Sequence, residues 1–149
     1  KQRLQVLVNA YTLFTKNLME EGVDREKVKR ASDKTWAILG QQAGAQLKPL
    51  VGENINIEAL QQAGAIAETV HGIEVNTKTT ENELKTEFIS CPWHDALTAL
   101  DVPKDWRFCA SGHVAFAESM YNGLDPKATF ILSQNMPAGD QICEASTSI

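Results

Sequence analysis

Cysteine, aromatic residues and clustered charge are all scarce in this 149-residue chain. Cysteine occurs three times, an odd number at wide and uneven spacing. A domain of this length needs no disulfide to fold, so reduced thiols are expected. Formal charge is −5 with both signs interspersed. That leaves no basic stripe for nucleic-acid phosphates and no polybasic patch for anionic lipid, which argues against nucleic acid and membrane as partners. Apolar runs are short and broken by Lys, Glu or Gly, well under the roughly 20 residues that cross a bilayer. The start shows no signal-peptide pattern, and the expectation is a soluble, cytoplasmic protein. No phosphate-cradling Gly-rich loop, GxSxG elbow, HExxH or CxxC is present.

What the chain does have is core-forming material. Apolar residues make up 43% of it, enough for one domain spanning 1–149. Residues 2–21 place Leu4, Leu7, Val8, Tyr11 and Leu18 at helical spacing, stopping at Gly22. Asp24 can cap a second helix that carries Val28, Ala31, Leu39 and Leu47 inward until Pro49 ends it. Asn56 can cap a third, whose Ala59, Ala63, Gly64 and Ala67 leave a smooth face for close approach of another backbone, and Gly72 closes it.

The period then changes. IEVNTKTTENELKTEFIS alternates apolar and polar residues on both sides of Glu81 and Asn82 and reads as a β-hairpin. Pro92 starts a short helix through Leu100, and Asp105 can cap a longer one ending at Asn122–Gly123. ATFILSQ and QICEASTSI form a second hairpin around residues 136–140. The sum is an α+β fold with N-terminal helices and two β-hairpins forming an antiparallel sheet on which helices pack.

All three cysteines, Cys91, Cys109 and Cys143, lie in the second half, after the three N-terminal helices. On the predicted 105–122 helix, Cys109, His113, Phe116 and Met120 form one stripe and face inward. Cys91 precedes Pro92 and takes the N-cap position, where helix-end N–H groups favour a thiolate. Cys143 shares a strand face with Ala145 and Ile149. Cys91, Cys109, His113 and Cys143 thus form a potential Cys3His metal set suited to zinc or another thiophilic metal; the alternative is inert core thiols and a histidine bonded to backbone. His71 reads as a helix-end residue complementing the dipole, and His94 is left between a cleft and solvent. Asp140 is a turn residue. Trp93, Trp106, Phe108 and Phe116 either wall a small-molecule pocket or fill the core.

CPW at 91–93, CASGH at 109–113 and GDQIC at 139–143 resemble the L-2-amino-thiazoline-4-carboxylic acid hydrolase family. The resemblance implies an α+β domain and, for the members that give the family its name, hydrolytic opening of a thiazoline ring to N-carbamoyl-cysteine. It carries over Cys91, Cys109 and Cys143, with His113 beside them. Opening such a ring requires attack on an amidine carbon and departure of a thiolate; a thiol or a metal-bound hydroxide would attack, and His113 or His94 would move protons. One expectation is therefore a hydrolase of a small cyclic amidine with Cys91, Cys109 and His113 as catalytic groups. The other is a non-catalytic sensor or accessory domain binding a metal or small ligand, similar to 4-vinyl-reductase-type domains.

Overall fold

The computed structural model describes residues 2–149. Helix α1 (Gln2–Glu20) is followed by α2 (Arg25–Val51) and α3 (Ile57–His71); β1 (Glu74–Thr79) and β2 (Glu83–Ser90) come next, then α4 (Pro92–Ala99), α5 (Cys109–Leu124), β3 (Thr129–Gln134) and β4 (Cys143–Ser148). The α+β expectation and both hairpins are present. All neighbours in the sheet are antiparallel, in the order β1-β2-β4-β3, so the hairpins join through β2 and β4.

The local signals act as their chemistry requires. The Asp24 and Asn56 carboxylate and amide oxygens accept from the N–H groups of Lys27 and Ala59, at 3.0 and 2.9 Å, and satisfy donors that no helical carbonyl reaches. Gly72 ends α3 at φ +69°, a conformation that costs a glycine little. Two boundaries differ from expectation. Pro49 lies within the last turn of α2, and the carbonyl deprived of its donor belongs to exposed Ala45; Gly52 ends the helix instead. Asp105 does not cap the long helix, because Lys104–Trp106 forms a separate 3-10 turn and the chain breaks direction at Arg107–Phe108. Cys109 is consequently the first residue of α5 rather than an interior one.

Ile57 and Leu60 of α3, Leu84 and Phe88 of β2, Phe116, Met120 and Leu124 of α5, Phe130 and Ala145 build one core between sheet and helices. α2 and α5 form the tightest seam. A Cβ on Gly40 would collide with the Phe116 carbonyl, and one on Gly44 would stand 2.7 Å from that of Met120, so these backbones meet only because α2 has no side chain there. On α3 the close approach is smaller in scale: Gly64 leaves room for the Tyr121 hydroxyl.

α1 is a different kind of neighbour. Val8, Thr12 and Thr15 face inward, whereas Leu7 is 66% exposed and stands with Val6 and Phe14 on an outward apolar face. Ala31 and Leu39 of α2 also point outward; Ser32, Gly40 and Gly44 take the inner positions, with Trp36 packed beside them against the core.

Candidate functional site

Between α2, α3, α5 and the sheet lies a cavity of about 90 Å3. Its walls include Cys91, Cys109, Cys143, His71, His94 and His113, together with Tyr11, Trp36, Phe88, Trp93 and Phe116. Cys91, Cys109, His113 and Cys143, with Trp93 and Phe116, therefore reach one space, whereas Trp106 and Phe108 do not line it. Each cysteine arrives by a different local device. The Pro92 helix start sets Cys91 at its N-cap, the break at Phe108 sets Cys109 at the head of α5, and strand alternation turns Cys143 inward. His113 stands one turn along α5 from Cys109.

The aromatic walls interlock edge to face. Trp36 contacts Trp93 at a centroid distance of 5.0 Å and Tyr11 at 5.7 Å, and His71 stands edge-on to Phe116 at 4.9 Å. His113 is wedged between Phe88 at 4.9 Å and Phe130 at 5.3 Å. All but the tilted His113–Phe130 pair are T-shaped and put positive ring edges against negative faces. Trp36 reaches its place because Gly112 has no side chain: a Cβ there would lie 2.5 Å from the indole Cδ1. The Trp36 indole N–H donates to the Tyr11 hydroxyl at 3.2 Å, which shares a 2.5 Å hydrogen bond with Ser32.

Burial governs the electrostatics. It lowers His113 to about 4, assisted by nearby His71, and lowers His71 against the pull of the Ala67 carbonyl. His94 is lowered by burial and then by Arg107, and its buried Nδ1 has no partner. Burial pushes Cys109 up to about 12, with Cys91 and Cys143 adding to it and Arg107 opposing. Cys91 also moves up. The N–H groups of His94 and Trp93 pull the other way, yet desolvation outweighs them, and its sulfur makes no capping hydrogen bond. This corrects the expectation of a helix-end thiolate. Cys143 is raised by burial as well, although its sulfur accepts from the Met136 N–H at 3.3 Å. At neutral pH the site holds thiols and neutral imidazoles, and among the described residues no Lys, Arg, Asp or Glu lines it.

No group of three or more His, Cys, Asp or Glu among the described residues is arranged to hold a metal ion. Cys91, Cys109, His113 and Cys143 share the cavity without converging on one point. Asp140 performs the turn role read from sequence, accepting from the Asn135 N–H at 2.8 Å. His71, Tyr11 and Trp36 are site residues that the sequence reading missed. His71 is both the last residue of α3 and a cavity wall; Trp36 carried no signal beyond being a lone aromatic next to a glycine-rich stretch.

Fold and cavity together define an α+β domain built around one uncharged, aromatic-walled, thiol-bearing pocket. The sequence matches the L-2-amino-thiazoline-4-carboxylic acid hydrolase family over residues 3–146, and the chain belongs to that family. No curated protein sequence matches it. Among solved structures it is similar to the phenol-responsive sensory domain of the transcription activator PoxR, determined with phenol. The TM-score is 0.69 at 14% identity, covering 95% of this chain and 73% of that one. It is also similar to a trafficking protein particle complex subunit 3 from Naegleria fowleri, covalently bound to palmitic acid. Here the TM-score is 0.64 at 13% identity, covering 99% of this chain and 95% of that one. Both share its fold. No helix among the described residues is long and apolar enough to cross a membrane.

Proposed function

We propose that this chain binds a small, uncharged, mainly apolar molecule of about one ring in size within the cysteine–histidine cavity. The observation that carries this reading is the lining itself: aromatic edges, thiols and neutral imidazoles, with no charged side chain among the described residues. A carboxylate entering such a space loses its hydration and meets no cation among the lining residues, Arg107 acting on His94 and Cys109 from outside the lining, a cost of several kcal/mol. A neutral ring loses little water and gains dispersion and edge contacts with Trp36, Phe88 and Phe116. Neutral His71 and His113 each offer one acceptor nitrogen to a hydroxyl or N–H group on the ligand. The fold shared with a phenol-responsive sensory domain is consistent with this use.

A second reading is the family's hydrolysis of a cyclic amidine, favoured by one specific observation: three thiols and His113 surround the same cavity. There a cysteine sulfur attacks the amidine carbon, giving up its proton to an imidazole. The ring sulfur leaves as a thiolate and takes that proton, and water then displaces the cysteine to leave a urea. Cys91 is the best placed nucleophile, since the N–H groups of Trp93 and His94 face it. The raised thiol and lowered imidazole values both oppose that proton transfer. A zinc ion on Cys91, Cys109, His113 and Cys143 would first require those side chains to close on a common point.

Isothermal titration with phenol and with L-2-amino-thiazoline-4-carboxylate, followed by assay of the second mixture for newly released thiol, distinguishes the two. Binding is expected for phenol, with no heat and no product for the carboxylate. Product that disappears in Cys91→Ala would replace the binding reading with the hydrolytic one.

A further inference from the structure

Beside the main cavity lies a smaller one of about 20 Å3, between α1, α4 and the turn that leads into α5. The two share three wall residues, Tyr11, Trp93 and Cys109. We infer that this annex is a subsite for a short unbranched apolar tail on the ligand, and that Trp93 determines the tail length accepted. The inference rests on the binding reading above and adds to it a shape of ligand: a neutral ring carrying a short carbon chain at one position.

The chemistry of the annex admits little else. Its two threonines have spent their hydrogen bonds inside α1: Thr12 donates to the Val8 carbonyl at 2.8 Å, and Thr15 to the Thr12 carbonyl at 3.0 Å. What they turn to the annex is hydrocarbon. Leu97 and Phe108 are buried and Trp106 is half-buried, so most of the remaining surface is hydrocarbon, with the Cys109 thiol and the Trp106 indole N–H as its polar points. A space of this size holds about one water-sized group. A water placed there would find few partners, whereas a methyl or methylene group loses nothing.

Of the shared wall residues, Tyr11 is pinned by Ser32 and by the Trp36 indole. Cys109 is fixed by its place in the first turn of α5. Trp93 stands on short α4 and meets Trp36 and Tyr11 through ring edges, at 5.0 and 6.0 Å. Its indole is therefore the part of the partition that can turn about its own side-chain bonds without unfolding a helix. Trp93 acts as a specificity-determining residue, setting how far a tail passes Cys109 before it meets a wall.

The test is titration calorimetry of phenol and a series of 4-alkylphenols, methyl to pentyl, read as affinity relative to phenol. In the unaltered protein each methylene that enters the annex should strengthen binding about fourfold, and the gain should stop after one or two carbons, which fill a space of about 20 Å3. Trp93→Ala should extend the gain to longer chains. Leu97→Phe, which fills the annex from its far side, should bring the propyl-to-phenol ratio down to about one. Should Trp93→Ala fail to fold, Leu97→Phe decides the matter alone. A chain-length profile in Trp93→Ala that superimposes on the unaltered one, or a ratio unmoved by Leu97→Phe, overturns the annex while leaving the binding reading intact. Failure of phenol and of every alkylphenol to bind the unaltered protein overturns the binding reading, and the annex proposal with it.

Discussion

Two walls of the cavity are held in place by different physics. On the α2–α5 side, glycines let backbone rest on backbone, Gly40 against Phe116 and Gly44 against Met120, and Gly112 lets the Trp36 ring lie against α5. On the α1 side, closure depends on a side chain, Tyr11, tethered through hydrogen bonds to Ser32 and Trp36. Lys16 adds a bond to the Leu100 carbonyl at 3.0 Å. The outer face of the same helix leaves Val6 and Phe14 more than 60% exposed. A contact between backbones has no rotamer through which to relax, so it is either intact or broken. A wall made of one tethered side chain gives way in small steps. The contrast separates the part of the cavity wall fixed by backbone contact from the part held by side-chain hydrogen bonds.

Substitution at the seam should produce the largest effect. Gly40→Ala drives a methyl into a carbonyl oxygen and should cost about 3 kcal/mol, or roughly 10 °C in melting temperature for a domain of this size. Thermal denaturation followed by circular dichroism measures it, and a loss below about 1 kcal/mol would mean that the seam yields after all. Tyr11→Phe removes the tether and keeps the ring, so a loss of about 1 kcal/mol is expected. Hydrogen exchange should rise in α1 and stay unchanged in α5; equal acceleration in both helices would erase the distinction.

Acid dependence sharpens the comparison from inside. Glu68 is raised to about 7 by burial, so its folded-state pKa lies above the unfolded value of 4.5. Its contribution is full below 4.5 and is lost as pH rises through 7. His113 is lowered to about 4 from 6.5, so its contribution is present above 6.5 and is lost as pH falls toward 4. The two slopes oppose each other between 4.5 and 6.5. Glu68→Gln removes one of them, and stability of that variant should rise with pH across the window in urea titrations. A flat profile in the variant would contradict a buried neutral His113. The smallest effect is expected at Phe14→Gln on the outer face of α1, within about 0.5 kcal/mol, as judged by the same melts.

How much of this was legible beforehand depended on range. Asp24, Asn56, Gly72 and Pro92 announce helix ends through groups that act within four residues. Period-two alternation revealed both hairpins for the same reason. The stripe from Cys109 to Met120 survived the wrong start assigned to its helix, because the spacing is a property of the turn and not of the cap. What could not be read was contact across distance. Tyr11, Trp36 and His71 come from three helices, and nothing near any of them in sequence records that they meet beside Cys91. Periodicity on α1 and α2 identified apolar positions without saying which stripe was inner. Leu7 and Leu39 were therefore turned the wrong way. The Cys91 value was misjudged because a helix end is a local feature, and the desolvation that outweighs it is supplied by the whole fold.

The near-perpendicular meeting of Trp36 and Trp93, with planes at 84° and centres 5.0 Å apart, has an optical consequence. Two indoles this close share their electronic transitions, and the protein around them holds the pair in a handed arrangement. Their combined ultraviolet bands should therefore carry a circular dichroism signal that neither ring would give alone. That signal depends on the angle between the rings, so a guest that turns Trp93 changes its shape even when it absorbs no light itself. The paired indoles thus place a chromophore in the wall of the cavity itself.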